Sequence, residues 1–146
     1  MSREIESRYT PAAWLALEHF PVEPTSVAFV DHSENVTFRV QTQDRQSGYV
    51  LRLHRPGYNS LEALESERAW VGALFDSGIS VPEPLKTRDD THFVLIDIPG
   101  TEEQRYVGMT TWLEGVPLYR CQEVYSDEVS RARILGRVGE MTAAMH

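Results

Sequence analysis

The segment YVLRLHRP, residues 49–56, places a cation where a β-strand would hold apolar side chains. Side chains alternate between the two faces of a strand, so Arg52 shares a face with Val50 and His54. An arginine there either lies at a solvated edge of the sheet or meets an anion, because a guanidinium donates paired hydrogen bonds to carboxylate or phosphate oxygens. The strand pattern alone leaves both possibilities open.

The next segment, residues 61–75, has helical spacing and contains a carboxylate, Glu67. Whether this side chain is solvated or meets an opposite charge is again the question. On a helical wheel Glu67 falls inside the apolar half. That half consists of Leu64, Trp70, Val71, Leu74 and Phe75. A buried, unpaired carboxylate is costly, so we expect Glu67 to find a cation, and Arg52 is the natural candidate.

Spacing does not decide what such a pair does. The two side chains could form an ordinary, partly buried ion pair, or both could reach solvent at the edge of the sheet. Arg68 also falls near the rim of the apolar arc and competes for Glu67.

The elements that must position these residues follow from the hydrophobic pattern. Residues 9–20 predict a short helix, with Thr10 as its cap and Pro11 at its first helical position. Extended segments are predicted at residues 26–31, 35–42, 49–54, 92–98 and 105–112, the first three as an antiparallel meander. We therefore expect an α+β fold, with a five-stranded antiparallel sheet and helix 61–75 packed on one face.

Helical spacing returns at residues 127–145. Its apolar stripe contains Val129, Leu135, Val138, Met141 and Met145. This helix has no obvious partner in the sequence. Its stripe must meet the sheet, a second chain or a missing segment, and a homodimer through this helix is one possibility.

Composition narrows the classes of function. Lys and Arg number 14 against 22 Asp and Glu, which gives a net charge of -8 and argues against nucleic acid or an anionic membrane as partner. No stretch is apolar enough to span a bilayer, and the N-terminus is too polar for a signal peptide, so we expect a cytoplasmic protein. The lone Cys121 and the absence of zinc spacing predict no metal site.

An ordered set of segments carries a resemblance to a known family. They are SENVTFRV, VLRLHRP, ESERAWVGALFDSGISVPEPL, MTTWLEGVPL and LGRVGEMTAAMH. From about Ser26 to His146 the chain resembles the N-terminal part of the aminoglycoside phosphotransferase and choline kinase superfamily, to which type II homoserine kinases and bacterial stress-response kinases are similar. The resemblance implies a protein-kinase-like small lobe.

That lobe and its hinge would occupy residues 26–115. A helical segment, residues 1–25, would precede it, and residues 116–146 would form a linker and the first helix of a truncated large lobe.

The resemblance also implies roles for individual residues. Arg52 stands where the family places its strand-three Lys or Arg, which reaches the nucleotide phosphates, and Glu67 stands where a helix glutamate orients that cation. Ser33 and Asn35 lie at the turn that covers the phosphates, although this turn lacks glycine.

The segment TTWLEG, residues 110–115, resembles the hinge between the two lobes of the family. Backbone groups near Thr111 and Leu113 would meet the adenine edge there, and Trp112 would lie beside it or only pack.

The implied reaction is transfer of the ATP γ-phosphate to a hydroxyl of a small molecule or a protein, with Mg²⁺ held by the missing large lobe. The sequence contains no His-x-Asp motif and no signature of another common hydrolase or nucleotide site, so we assign no catalytic residue. We expect the chain alone to bind nucleotide at most and to be inactive. The alternative is a non-catalytic interaction or dimerisation module on a kinase-like scaffold.

Overall fold

The structure is a computed structural model that describes residues 2–120 and 127–146. It contains two compact units, Met1–Leu113 and Glu114–His146. Cys121 lies outside the described residues.

The described elements confirm the α+β prediction. In chain order they are α1 (Ser2–Leu17), β1 (Pro24–His32), β2 (Val36–Thr42), β3 (Tyr49–Leu53), α2 (Leu61–Asp76), β4 (Pro84–Leu85), β5 (Phe93–Asp97), β6 (Gln104–Thr111) and α3 (Glu128–Ala144). All five predicted strands are found, but the sheet has six, because β4 adds a two-residue strand at its edge. The sequence did not indicate β4, since it is short and begins with a proline, which cannot donate a ladder hydrogen bond.

The sheet is antiparallel in every pairing and runs in the order β1-β2-β3-β6-β4, with β5 also paired to β6. Strand β6 is therefore the hub of the first unit. Its Gly108 lies opposite Arg52 of β3 on one side and opposite Phe93 of β5 on the other.

The main core lies between the sheet and α1, whereas α2, the helix predicted to pack on one face, lies over the opposite face. Leu51 and Leu53 of β3 belong to this core, and the fully buried Ala12 and Ala16 let α1 approach the sheet closely. In α2, by contrast, only Leu64 and Leu74 are buried.

The predicted apolar half of α2 is only partly buried. Trp70 is 56% exposed and Phe75 is 42% exposed. Helix α2 thus lies over the second face of the sheet without sealing it.

Helix α1 begins at Ser2, nine residues before the predicted first helical position, Pro11. Thr10 is not its cap: its hydroxyl donates to the Glu6 carbonyl at 2.6 Å, within the helix. Pro11 consequently lies inside the helix, where its missing N–H removes one helical hydrogen bond. Packing of the alanine face that follows offsets this loss.

A polar network also fastens α1 to β6. The buried Arg105 donates to the Tyr9 hydroxyl at 3.0 Å and also to Glu103. Tyr9 donates to Glu103 at 3.1 Å, and Arg8 donates to the other carboxylate oxygen at 2.9 Å. The Glu103 carboxylate therefore joins three side chains from two elements.

In the second unit, α3 confirms the predicted helix. Its cap is Asp127, whose carboxylate accepts from the Ser130 amide at 2.8 Å. No residue of α3 is buried. Across residues 2–120 and 127–146, no helix combines the length and apolarity that crossing a membrane requires.

Candidate functional site

A cavity of about 160 Å³ lies between α2 and the sheet face that points away from the main core. Its lining comes from α2, three strands and the segment before β4. The lining residues are Val50, Arg52, His54, Leu64, Glu67, Arg68, Val71, Pro82, Phe93, Gly108 and Thr110.

Strand alternation sends every second residue of β3 into this cavity. Val50, Arg52 and His54 line it, while the residues between them enter the core. Val50 lies opposite Thr110 of β6, two residues, or roughly 7 Å, from the position of Arg52. The cavity is thus mainly apolar beside Val50 and charged beside Arg52.

Gly108 shapes the floor of the charged part. A Cβ at this position would lie 2.7 Å from Cε1 and 3.0 Å from Cδ1 of Phe93. Only a residue without a side chain lets the Phe93 ring rest on β6. The edge of the His54 ring meets that ring at a centroid distance of 5.5 Å.

The two residues singled out by the sequence, Arg52 and Glu67, line the same cavity. Both are exposed, and within the described part of the chain no ion pair joins them. The expected Arg52–Glu67 ion pair is therefore not formed. Because α2 buries only Leu64 and Leu74, the Glu67 carboxylate keeps its water and does not require a cation.

The positive charges of the cavity affect the pKa of His54. Burial, together with the nearby Arg52 and Arg68 guanidiniums, lowers the pKa of His54 to about 4. At neutral pH its ring is uncharged, so the lining charges are two arginines and one glutamate. This local excess of positive charge, in a chain of net charge -8, suits an anion.

Arg68 is the site residue that sequence reasoning noticed and then left out. Its guanidinium carbon lies 5.3 Å from the centroid of the Phe93 ring, and it lines the cavity beside Arg52. The available signal was its place at the rim of the apolar arc of α2, which marked it as half-buried.

The residues of the β1–β2 turn do not line the cavity. Asn35 accepts a hydrogen bond from the Arg55 amide at 2.9 Å through its side-chain oxygen, which fastens the turn to the end of β3. Ser33 is exposed at the tip of this turn. A role for Ser33 and Asn35 at phosphates remains a prediction.

The residues predicted to form a hinge lie at the end of β6, next to Thr110 of the cavity. The Thr111 amide donates to the Glu83 carbonyl at 2.9 Å, and the Trp112 amide donates to the Gly48 carbonyl at 3.1 Å. The Trp112 ring lies under the Arg39 guanidinium at 4.3 Å. In the described ranges no hydrogen bond of the Leu113 backbone is found, so Leu113 keeps its polar groups available.

The described residues contain no group of three or more His, Cys, Asp or Glu side chains that could hold a metal ion.

Comparisons with known proteins point in one direction. Residues 26–146 match the family model described as "Phosphotransferase enzyme family". A microcompartment-associated aminopropanol kinase is similar, with 28% identity and a TM-score of 0.62, over 75% of this chain and 33% of that chain. A comparison with the curated proteins finds no match.

A second solved structure shares the fold at lower identity. It is an amicoumacin kinase in complex with AMP-PNP, Ca²⁺ and Ami, with 20% identity and a TM-score of 0.63, over 82% of this chain and 36% of that chain. The present chain therefore spans about a third of the length of each of these two kinases.

Proposed function

The chain belongs to the phosphotransferase enzyme family, and from that premise we propose that its first unit binds ATP for transfer of the γ-phosphate to a hydroxyl acceptor. The observation that carries the proposal is the cavity under α2, where the Arg52 guanidinium lies without an ion-pair partner among the described residues. An exposed cation in a cleft with excess positive charge favours a polyanion.

In this proposal the nucleotide lies along β3. The base contacts the apolar part at Val50 and Thr110, and the phosphates reach Arg52, roughly 7 Å further along the strand. A guanidinium stays charged at every physiological pH and can hold two phosphate oxygens at once. Fixed positive charge of this kind stabilises the transition state of phosphoryl transfer.

The other predicted residues take supporting roles. Glu67 orients Arg52 once phosphate has entered the cavity, because the two side chains line the same space. Ser33 and Asn35 contribute donors to the phosphates from the β1–β2 turn. The hinge contributes backbone groups near Thr111 and Leu113 to the adenine edge.

A divalent cation belongs to the same proposal. The amicoumacin kinase structure holds Ca²⁺ together with AMP-PNP, and Mg²⁺ would neutralise phosphate charge during transfer. We propose that its ligands are not among the described residues, which offer no suitable cluster. Because no histidine here begins a His-x-Asp motif, we expect these 146 residues alone to bind nucleotide without transferring phosphate.

Calorimetric titration of the full chain with MgATP tests the proposal. We expect Arg52→Gln to weaken binding about tenfold or more, because it removes charge-assisted hydrogen bonds. Arg55→Gln removes the same charge from an exposed arginine that lies near Tyr58 and outside the cavity, and it should bind as the wild type does. Absence of wild-type binding, or equal loss in both variants, would contradict the proposal.

A second candidate function is an interaction module that dimerises through α3. The exposed stripe of this helix favours it, since Leu135 is 65% exposed and Met141 is 50% exposed. Sedimentation equilibrium should then show a dimer that Leu135→Asp dissociates and Arg133→Asp, which places the same carboxylate outside the stripe, leaves intact. A monomer at all concentrations rules this candidate out.

A further inference from the structure

Arg68 occupies an unusual position for a charged side chain. It projects from α2 onto the floor of the cavity, where its guanidinium lies over Phe93 at 5.3 Å. A Cβ on Gly108 would come within 3.4 Å of its Nη2 atom. Arg68 therefore lies against the strand position that also faces Arg52.

Within the described part of the chain, this guanidinium has no hydrogen-bond or ion-pair partner. Its Nε atom is buried without a hydrogen bond, and no ion pair involves Arg68. The nearby Glu65 instead contacts His92 at 3.2 Å. Burial, chiefly, lowers the pKa of Arg68, although Glu67 opposes the shift.

A buried donor without a partner is costly, and the cost is recovered when an acceptor arrives. The neighbouring groups specify the acceptor. Arg52 pairs with Gly108 in the strand register, the Arg68 guanidinium lies against Gly108 and Phe93, and both arginines line the cavity. His54 is neutral and adds no opposing charge, which leaves Glu67 as the one anionic group in the lining. Two guanidiniums at one point suit a ligand with several adjacent anionic groups.

We propose that Arg68 is a second phosphate-binding residue, which forms with Arg52 a two-arginine clamp on adjacent phosphates of one polyphosphate. This inference rests on the proposed function and assigns the triphosphate to the part of the cavity floored by Gly108 and Phe93. The clamp predicts that the cavity binds polyphosphate more tightly than a single phosphate group, since one phosphate engages only part of it.

The test separates this role from a structural one. In Arg68→Met the charge is lost but an apolar chain still covers Phe93. Because the half-buried guanidinium makes no ion pair and leaves its buried Nε without an acceptor in the unliganded fold, we expect this variant to unfold at the same or a higher temperature than the wild type. Its affinity for inorganic tripolyphosphate, measured by calorimetry on the full chain, should fall about tenfold or more. Arg68→Lys should show a smaller loss, because it keeps charge without the fork.

The outcomes separate a failure of this inference from a failure of the proposed function. Two of them would overturn the inference alone. One is tripolyphosphate binding by Arg68→Met at wild-type affinity while Arg52→Gln binds weakly, which leaves the proposed function standing. Another is that Arg68→Met unfolds at a lower temperature than the wild type and that Arg68→Lys binds tripolyphosphate no more tightly than Arg68→Met does. If the wild type binds neither tripolyphosphate nor MgATP, both proposals fall. If Arg68→Met weakens tripolyphosphate binding but MgATP binds no more tightly than tripolyphosphate, the clamp is supported and the nucleotide part of the proposed function falls.

Discussion

The absence of a side chain at Gly108 allows the Phe93 ring to pack directly against β6 at the floor of the cavity. With a Cβ at 2.7 Å from the Phe93 ring, Gly108→Ala must displace that ring, over which the Arg68 guanidinium lies. We expect a loss of about 1–3 kcal/mol in the free energy of unfolding, as for overpacked cores, together with weaker binding of MgATP. Urea unfolding and calorimetry measure the two effects.

Gly72 provides the matched control for that prediction. It lies in α2, and a Cβ there would meet no atom within 4 Å. Gly72→Ala should stabilise the protein by about 0.5–1 kcal/mol, because alanine loses less backbone entropy in a helix. If the two alanine variants behave alike, Gly108 does not have the role assigned to it.

His54 makes stability depend on pH. Its pKa falls from 6.5 to about 4 on folding, so between these values the unfolded state binds a proton that the folded state does not. Stability should therefore be constant above the unfolded pKa and decrease as pH falls, by at most about 3 kcal/mol in total. Urea unfolding in the upper part of this window, above the range in which carboxylates titrate, isolates the histidine.

His54→Gln should remove most of that slope, while His19→Gln, at an exposed histidine, should retain it. A slope unchanged by His54→Gln would show that other groups are responsible.

Sequence reasoning at this scale identified Arg52 and Glu67 from alternation and helical spacing, and the structure brings both to one cavity. It left open whether they pair or reach solvent, because a helical wheel gives angles on a helix and not the depth to which that helix is buried. The role of Gly108 in the cavity could not be predicted from the sequence for a related reason. The significance of a missing side chain depends on which residues lie across from it in two neighbouring strands.

The network around Glu103 is the main polar attachment described between α1 and β6. Burial opposes ionisation of Glu103, but Arg105, Tyr9 and Arg8 outweigh it and lower the pKa of this carboxyl group. The ionised Glu103 carboxylate contributes to stability above the ordinary pKa of a glutamate. This contribution is lost as pH falls through the lowered pKa of Glu103 in the folded protein.

We expect Glu103→Gln to destabilise the protein by about 2 kcal/mol, because it leaves the buried Arg105 charge without its carboxylate. Glu102→Gln changes the adjacent, exposed carboxylate and should stay within about 0.5 kcal/mol of the wild type. Thermal or urea unfolding checks both, and equal stability of the two variants would show that the network does not hold α1.

At the scale of elements, local patterns located the meander, α2 and α3, since alternation and capping are properties of neighbouring residues. They did not reveal that α1 covers the main core. Ala12 and Ala16 contribute little apolar signal, yet their small size permits the close contact that larger residues would prevent. The charged segment before Thr10 also gave no apolar period, although it continues α1 to Ser2.

For the whole molecule, the sequence motifs and the family match agree over residues 26–146. The chain covers only about a third of the kinases it resembles in structure. The acceptor, the transfer step and nucleotide binding therefore all stay proposals, and nucleotide binding is the one that can be tested directly on the described cavity. The two-arginine lining is what connects the fold to that property.

The most direct test is to map MgATP binding residue by residue from amide chemical shifts of the full chain. The account predicts that the largest changes fall on Val50–Leu53 of β3, on Glu67 and Arg68, and on Gly108, and that Arg52→Gln suppresses them. Changes confined to α3, or no saturable change up to millimolar MgATP, would contradict the claim that this cavity is the nucleotide site.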